Sequence, residues 1–300
     1  INPRFADLQA ELRVLYEKRK DWDSAIAVYS RLVERDPDDL DNKIQLGQFY
    51  LAKGDTLSTQ TIYQLAVKQH PYNERAYLAL GAIEKMVGDT TAAINTYQQG
   101  LEKGSTFLDV RRRLRDIYVK RKEFDQAIML YTSLTNSDST YVGATIEIAN
   151  LLMQKGDTLQ AIDKCEELNR TFADDWRVPF TLGRFYFIAR ENEKAIPHLE
   201  KARNARPDIP YLWVLTGITY LQMDSLRLAQ NTFIAAQKEY PDDPEINYYL
   251  GSIYARQKEF HKAIPYFEKS NEKDPGNIQT LLALAGAYDE NNQYSVSEAI

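Results

Sequence analysis

The feature that most constrains this sequence is a period of 34 residues that runs along the chain. Six prolines share one register of that period, and three other residues fill the intervening positions. A single insertion would have destroyed the register, and none is visible. These residues are Pro3, Pro37, Pro71, Ser105, Ser139, Ala173, Pro207, Pro241 and Pro275. Because self-similarity at a fixed period is typical of repeat architectures, the chain is predicted to be a stack of similar repeats.

Within each repeat, apolar and small residues recur at spacings of three and four, which places them on one face of a helix. Leu46 and Gly47 represent an aliphatic column followed by a small one, and a tyrosine such as Tyr50 follows three residues later in most repeats. A second small column, represented by Ala93, precedes a bulky residue such as Tyr97 by four positions. Glycine and proline stand where helices would end. Each repeat is therefore predicted to contain two closely packed helices.

This pattern resembles the tetratricopeptide repeat family over essentially the whole chain. The resemblance implies an all-α solenoid, in which stacked antiparallel helix pairs form a right-handed superhelix whose concave wall comes mostly from the first helix of each pair. One repeat buries too little apolar surface alone, so the stack supplies the core. The predicted repeats of this single array are 6–39, 40–73, 74–107, 108–141, 142–175, 176–209, 210–243 and 244–277, with 1–5 resembling the end of a preceding repeat and 278–300 a truncated ninth.

Both ends of the sequence resemble incomplete repeats, so we expect the chain to belong to a longer array. Neither end shows the polar capping helix that a complete solenoid carries. The terminal repeats are expected to fray unless a partner or a second copy of the chain covers them. The sequence leaves the compartment open: a soluble chain is expected in either the cytoplasm or the periplasm.

The composition argues against several classes of function. A formal charge of -6 and a pI near 5.3 disfavour general affinity for nucleic acid or anionic lipid, because those surfaces are recruited by a cationic field. No apolar run approaches the roughly 18 residues that span a bilayer. We therefore expect no nucleic-acid partner and no membrane insertion.

The sequence also lacks motifs for chemistry. It has no Gly-rich phosphate loop and no His-Glu-x-x-His pair. The single cysteine, Cys165, stands in a bulky apolar column and is predicted to fill the core rather than to react. The three histidines lie in different repeats without neighbouring ligands at metal-binding spacing. We predict that the chain is not an enzyme and holds no metal or cofactor.

The family resemblance also implies which residues of each first helix face the concave side. In the fifth to eighth repeats this side is rich in apolar residues, and large exposed apolar patches usually mark interaction sites. We predict a partner-binding groove there, with inter-repeat packing or contact with a missing part of the chain as the alternatives. The predicted groove residues are Ile146, Asn150, Met153, Arg177, Phe180, Arg184, Phe187, Ile188, Tyr211, Val214, Ile218, Leu221 and Tyr248.

A basic run in the fourth repeat is a second candidate site. Such a run forms either a solvated face or a patch for an acidic partner. The predicted acidic-partner patch consists of Arg111, Arg112, Arg113 and Lys120. Arg115 occupies a position that is small in most other repeats, and Glu84 replaces the recurrent tyrosine in the third repeat. We therefore predict a softer joint between the third and fourth repeats, with Glu84 paired to Arg115.

Taken with the resemblance, these features predict a non-catalytic scaffold that binds a partner peptide or protein. Two alternatives remain open at this stage. The chain could be the recognition or regulatory arm of a larger enzyme or of a secretion or assembly machine. It could also be a self-association module that stacks through uncapped ends.

Overall fold

The computed structural model describes residues 3–134 and 141–291, with side chains described for 11–134 and 142–291. Within those ranges the chain forms 17 α-helices and no β-strand, which confirms the predicted all-α repeat fold. The chain divides into two compact units, an N-terminal unit of residues 1–130 and a C-terminal unit of residues 131–300.

The helices follow one another through short turns. The first eight are α1 (Pro3–Arg19), α2 (Trp22–Arg35), α3 (Leu40–Lys53), α4 (Thr56–Gln69), α5 (Glu74–Met86), α6 (Thr90–Lys103), α7 (Leu108–Lys120) and α8 (Phe124–Thr132). The remaining nine are α9 (Tyr141–Lys155), α10 (Thr158–Phe172), α11 (Arg177–Ile188), α12 (Asn192–Ala205), α13 (Pro210–Gln222), α14 (Leu226–Glu239), α15 (Pro244–Arg256), α16 (Phe260–Lys273) and α17 (Ile278–Glu290).

The two units share one packing scheme. Consecutive helices pack against each other, so that α4 lies against both α3 and α5, and α12 against both α11 and α13. Several odd-numbered helices also contact the next odd-numbered helix, namely α3 with α5, α5 with α7, α9 with α11, α11 with α13, and α15 with α17. The first helices of successive repeats thus form a layer of their own within each unit.

In the eight repeats whose turn the structure describes, the turn between the two helices has a similar backbone geometry. One residue per turn takes a positive φ, between 52° and 99°, whether or not it is glycine. These residues are Lys20, Gly54, Gly88, Lys122, Gly156, Arg190, Asp224 and Lys258. Glycine adopts this left-handed conformation freely, whereas a side chain with a Cβ is strained in it. The packing of the helix pair therefore imposes the turn even where the sequence disfavours it.

In five of the described repeats, a hydrogen bond joins the start of the first helix to the turn before it. The fourth residue of the repeat donates its side chain to the backbone carbonyl six residues earlier, although the residue type changes each time. The donors and acceptors are Lys43 to Pro37, Tyr77 to Pro71, Arg111 to Ser105, Trp213 to Pro207 and Asn247 to Pro241. This bond satisfies a carbonyl that lies outside the helical ladder.

Tyrosine hydroxyls tie successive repeats together. Tyr220 donates to the carboxylate of Glu200, at 2.7 Å and 20 residues earlier in the chain. The pairs Tyr186 with Glu166 and Tyr288 with Glu268 repeat this bond. Burial, followed by the bond to Glu200, raises the pKa of Tyr220 to about 12. The tyrosine column, which the sequence explains by apolar packing, therefore also carries a polar contact between repeats.

The predicted ion pair between Glu84 and Arg115 is not formed. Arg115 binds Asp116, with 2.8 Å between Nη2 and Oδ1. Glu84 is buried, its side chain is hydrogen-bonded to Thr96, and its Oε2 has no partner among the described residues. A different contact links the two repeats, since Glu74 of α5 accepts hydrogen bonds from the first backbone N–H groups of α7. The softer joint itself stays a prediction.

Replacement of the strained turn residue Lys258 tests whether packing imposes the turn. Lys258→Gly is expected to raise the free energy of unfolding by about 1 kcal/mol, because glycine removes the left-handed strain. Gly156→Lys, at the same position of another repeat, is expected to lower it by about as much. A Cβ at Gly156 meets no atom within 4 Å, so backbone strain is the main change. Urea denaturation measures both, and shifts of equal sign would contradict the interpretation.

Glu84 should make the chain less stable at neutral pH than at acidic pH. Burial raises the pKa of this carboxyl above 4.5, so its ionisation opposes folding as the pH rises through that value. Glu84→Gln is expected to stabilise the chain by about 1 kcal/mol at pH 7. The gain should shrink near pH 4, where the carboxyl is protonated in both states. Glu102→Gln, an exposed change on α6, is the control. An equal gain at both pH values would contradict the assignment.

Candidate functional site

The C-terminal unit brings part of the predicted groove together on the layer of first helices. On α11, Arg184 lies four residues after Phe180, and Phe187 and Ile188 lie three and four residues after Arg184, so the four residues share one side of that helix. Tyr211 of α13 approaches this side from one neighbour and Asn150 of α9 from the other. We name these six residues the α11 face.

The aromatic and cationic groups of the α11 face are in direct contact. The rings of Phe180 and Tyr211 meet edge to face, with centroids 6.0 Å apart. The guanidinium of Arg184 lies 5.8 Å from the centroid of Phe180 and donates a hydrogen bond to Asn150. Ile188 and Tyr211 are 52% and 50% exposed. The face therefore combines accessible apolar surface with a positioned cation.

The two predicted groove arginines differ in their partners. Arg177 is held by Asp175, with 2.9 Å between Nε and Oδ1, and the hydrogen bonds from Arg177 lower the pKa of that carboxyl. Arg184 forms no ion pair with any carboxylate in the described part of the chain, and its Nε is buried without a hydrogen bond. Only Arg184 therefore presents an uncompensated charge on the face.

Several other predicted groove residues lie partly in the core. Ile146 packs against the cluster formed by Val142, Leu168 and Val178. Ile218 and Leu221 pack against the core of α13 to α15, and Tyr248 packs against the core of α15 to α17. Met153 is half-buried and accepts a weak hydrogen bond from Thr158. For these residues the alternative of packing between helices holds at least in part.

Val214 is predicted to line the groove, but the structure places it in the core. Its side chain is only 2% exposed and belongs to the cluster that contains Phe233 and Leu250. The position that carries Phe180 in the sixth repeat thus points into the protein one repeat later, because the neighbouring helices of the seventh repeat cover it.

Arg111 is predicted to contact an acidic partner, but the structure places it in the core as well. It is 3% exposed and donates to the carbonyls of Ser105 and Leu130, so it performs the recurrent turn hydrogen bond and is not available to a partner. Arg112 is exposed and pairs with Asp109 at 2.9 Å, and Lys120 is exposed at the end of α7. The basic run therefore contains one structural arginine and several that reach solvent.

Part of the basic run lines a cavity within the N-terminal unit. The cavity measures about 610 Å³ and lies between α5 and α7, with α6 contributing one ring. Its lining consists of Leu78, Ala82, Lys85, Tyr97, Asp109, Arg112, Arg113, Arg115 and Asp116. Of the predicted acidic-partner patch, Arg112 and Arg113 line it, whereas Arg111 and Lys120 do not. The sequence does not predict Lys85 and Tyr97 as part of this site, because they belong to two other helices, α5 and α6.

Cation–ring contacts at the repeat boundary were also missed. Arg206 lies 5.2 Å from the ring centroid of Trp176, and Arg203 lies 4.9 Å from that of Trp213. Arg206 and Trp176 lie at the two ends of the sixth repeat, whereas Arg203 and Trp213 lie on the two sides of the boundary between the sixth and seventh repeats. The residues do not recur at the period, so a search by columns passes over them.

No group of three or more histidine, cysteine, aspartate or glutamate side chains is placed to hold a metal within residues 11–134 and 142–291. Cys165 is fully buried, and burial raises the pKa of its thiol to about 12. The thiolate is the nucleophilic form, so the native site suppresses reactivity.

Comparison with known proteins assigns the family. Profiles described as tetratricopeptide repeat match residues 14–39 and 214–278. The fold is similar to that of yeast Tom70, with a TM-score of 0.60 and 17% identity over 92% of this chain and 60% of Tom70. The chain therefore contains tetratricopeptide repeats. A second similar fold occurs in the Cut9–Hcn1 hetero-tetramer of APC/C, with a TM-score of 0.52, 19% identity and coverage of 89% and 52%.

The curated relatives of this chain are distant in sequence. The BBSome complex member BBS4 of Bos taurus is 20% identical over 270 residues, which cover 85% of this chain and 52% of BBS4. The anaphase-promoting complex subunit CDC16 of Saccharomyces cerevisiae is 26% identical over 141 residues, which cover 45% of this chain and 16% of CDC16. The chain thus spans about half the length of the first relative and less of the second. None of the described helices is long and apolar enough to cross a bilayer.

The buried thiol gives a direct check on the core of the C-terminal unit. Cys165 is expected to react with Ellman's reagent at pH 8 only after unfolding, because the native thiol is inaccessible and stays protonated. The absorbance of released thionitrobenzoate, with and without urea, measures this. Stoichiometric reaction of the native chain within minutes would contradict the assigned packing.

Proposed function

We propose that this tetratricopeptide repeat protein is a non-catalytic scaffold that binds an apolar segment of a partner protein on the α11 face. The observation that carries this proposal is the edge-to-face contact of Phe180 with the half-exposed Tyr211, on the side of α11 that also carries the half-exposed Ile188. When a partner binds, exposed apolar surface of this kind is removed from water. The burial of that surface supplies the free energy of association.

Arg184 adds a chemical requirement to the partner. Its charge is not compensated by a carboxylate, and its contacts with Asn150 and Phe180 fix its position. A positioned guanidinium favours a carboxylate with two acceptor oxygens. The partner segment is therefore apolar with an acidic side chain beside the apolar ones, and it binds either as a helix or as an extended chain.

The relatives support a role in assembly. BBS4 is named as a member of the BBSome complex, and CDC16 as a subunit of the anaphase-promoting complex. Both names describe components of multi-protein complexes. The role of an arm of a larger enzyme or machine, and that of a self-association module, stay predictions.

Selection from a phage-displayed library of random peptides tests the proposed face. Peptides selected on the chain are expected to combine aromatic or aliphatic residues with aspartate or glutamate. Ile188→Asp together with Tyr211→Ser is expected to weaken their binding by about 2 kcal/mol, because both side chains leave the apolar contact. Fluorescence anisotropy of a labelled selected peptide gives the affinity, and circular dichroism checks that the variant is folded.

Leu159→Asp is the matched control for this experiment. Leu159 is an exposed apolar residue of the same unit, but it lies on α10 and outside the α11 face. The control is expected to bind the selected peptides like the unchanged chain. Equal affinities of the double variant and the control would remove the α11 face from the proposal.

A further inference from the structure

We infer that the cavity between α5 and α7 is a second docking site, which binds an acidic segment of a partner protein through Lys85 and Arg113. This site goes beyond the proposed function, because it lies in the other compact unit and recognises charge rather than apolar surface. Its occupancy does not require the α11 face.

The inference starts from the charges that line the cavity. Four cations and two carboxylates face it. Two of the cations are compensated locally, since Arg112 pairs with Asp109 at 2.9 Å and Arg115 pairs with Asp116 at 2.8 Å. Lys85 and Arg113 form no ion pair or hydrogen bond through their side chains within the described ranges. The cavity therefore keeps two positive charges that the chain itself does not neutralise.

Apolar groups also line the cavity. Leu78 and Ala82 of α5 and the ring of Tyr97 lie beside the cations. The volume of about 610 Å³ is that of a typical ligand pocket, so a short segment fits into it while the rest of the partner stays outside.

Tyr97 reaches the cavity because of a glycine. A Cβ at Gly81 would lie 2.3 Å from Cε1 of Tyr97, so the ring occupies space that a side chain on α5 would take. Burial raises the pKa of Tyr97, and the nearby charge of Arg113 opposes the rise. The phenol and the guanidinium thus act on each other at the floor of the cavity. The hydroxyl stays protonated at neutral pH and is a further donor for a carboxylate.

A carboxylate-bearing peptide fits this arrangement better than a nucleic acid does. A nucleic acid presents phosphates in a long row and needs many cations, whereas two uncompensated cations stand here in one pocket. The planar guanidinium of Arg113 suits a carboxylate, which accepts two parallel hydrogen bonds. Residues 1–130 carry 20 lysines and arginines against 19 acids, and residues 131–300 carry 17 against 24. A segment rich in carboxylates therefore meets less repulsion on the N-terminal unit.

A synthetic peptide tests the site on the complete chain. The probe is a fluorescein-labelled peptide of alternating aspartate and serine, which carries no apolar side chain for the α11 face, and the neutral probe has asparagine in place of each aspartate. The acidic probe is expected to bind at least about tenfold more tightly than the neutral probe. Lys85→Gln and Arg113→Gln are each expected to weaken the acidic probe about tenfold, measured by fluorescence anisotropy.

Lys120→Gln is the matched control, because Lys120 is an exposed cation of α7 that does not line the cavity. It removes the same charge and is expected to change the affinity less than about twofold. Equal losses in Lys120→Gln and Arg113→Gln would overturn the inference, since they would show a diffuse electrostatic attraction. Equal binding of the two probes, or displacement of the acidic probe by polyuridylate at lower concentration than by the unlabelled peptide, would overturn it as well.

The two proposed docking sites can be tested independently of each other. The variant with Ile188→Asp and Tyr211→Ser is expected to keep its affinity for the acidic probe, and Arg113→Gln is expected to keep its affinity for peptides selected on the α11 face. Light scattering must show a monomer at the concentrations used. A dimer that the acidic probe dissociates would overturn the inference in favour of a second copy as the occupant.

Discussion

The packing of an aromatic ring beneath a small residue of the preceding helix is the contact on which the rest of the structure depends. A Cβ at Gly217 would lie 2.4 Å from Cε2 of Phe233, and one at Gly251 would lie 2.7 Å from Cδ1 of Phe267. In these repeats the two helices can approach this closely because the first lacks a side chain at the contact. Because this contact recurs in both units, it fixes the helix pair, and the pair in turn imposes the left-handed turn on residues such as Lys258.

The residues that make this contact can be recognised in the sequence, and they predict the fold. The residues that make the polar contacts cannot be recognised there. Glycine and aromatic residues recur in type at the period, so their columns are visible. The donor of the turn hydrogen bond recurs only in position, since Tyr77, Arg111 and Asn247 make the same bond with different groups. A search by residue type cannot find it. Arg111 was consequently assigned to a partner patch, although the structure uses it to hold α7 in place.

For the candidate site, the sequence likewise predicts the location but not the burial of each side chain. The resemblance to the tetratricopeptide repeat family implies a wall made of first helices, and Phe180, Ile188 and Tyr211 lie on first helices in the structure. The burial of each side chain does not follow from the repeat pattern. Val214 is buried and Tyr211 is half exposed, although both were placed on the same wall. Burial depends on the bulk of neighbouring helices, which differs from repeat to repeat and leaves no periodic trace.

The repeated geometry and the varied chemistry are independent of each other, and that independence permits two sites on one scaffold. Lys85 and Phe187 occupy the same position of their repeats, 102 residues apart, which is three periods. In the N-terminal unit that position contributes a cation to a charged cavity, and in the C-terminal unit it contributes an aromatic ring to an apolar face. Neither side chain takes part in the ring-under-glycine contact or in the turn hydrogen bond. Substitution at such positions therefore changes what binds and leaves the helix pairs that present it intact.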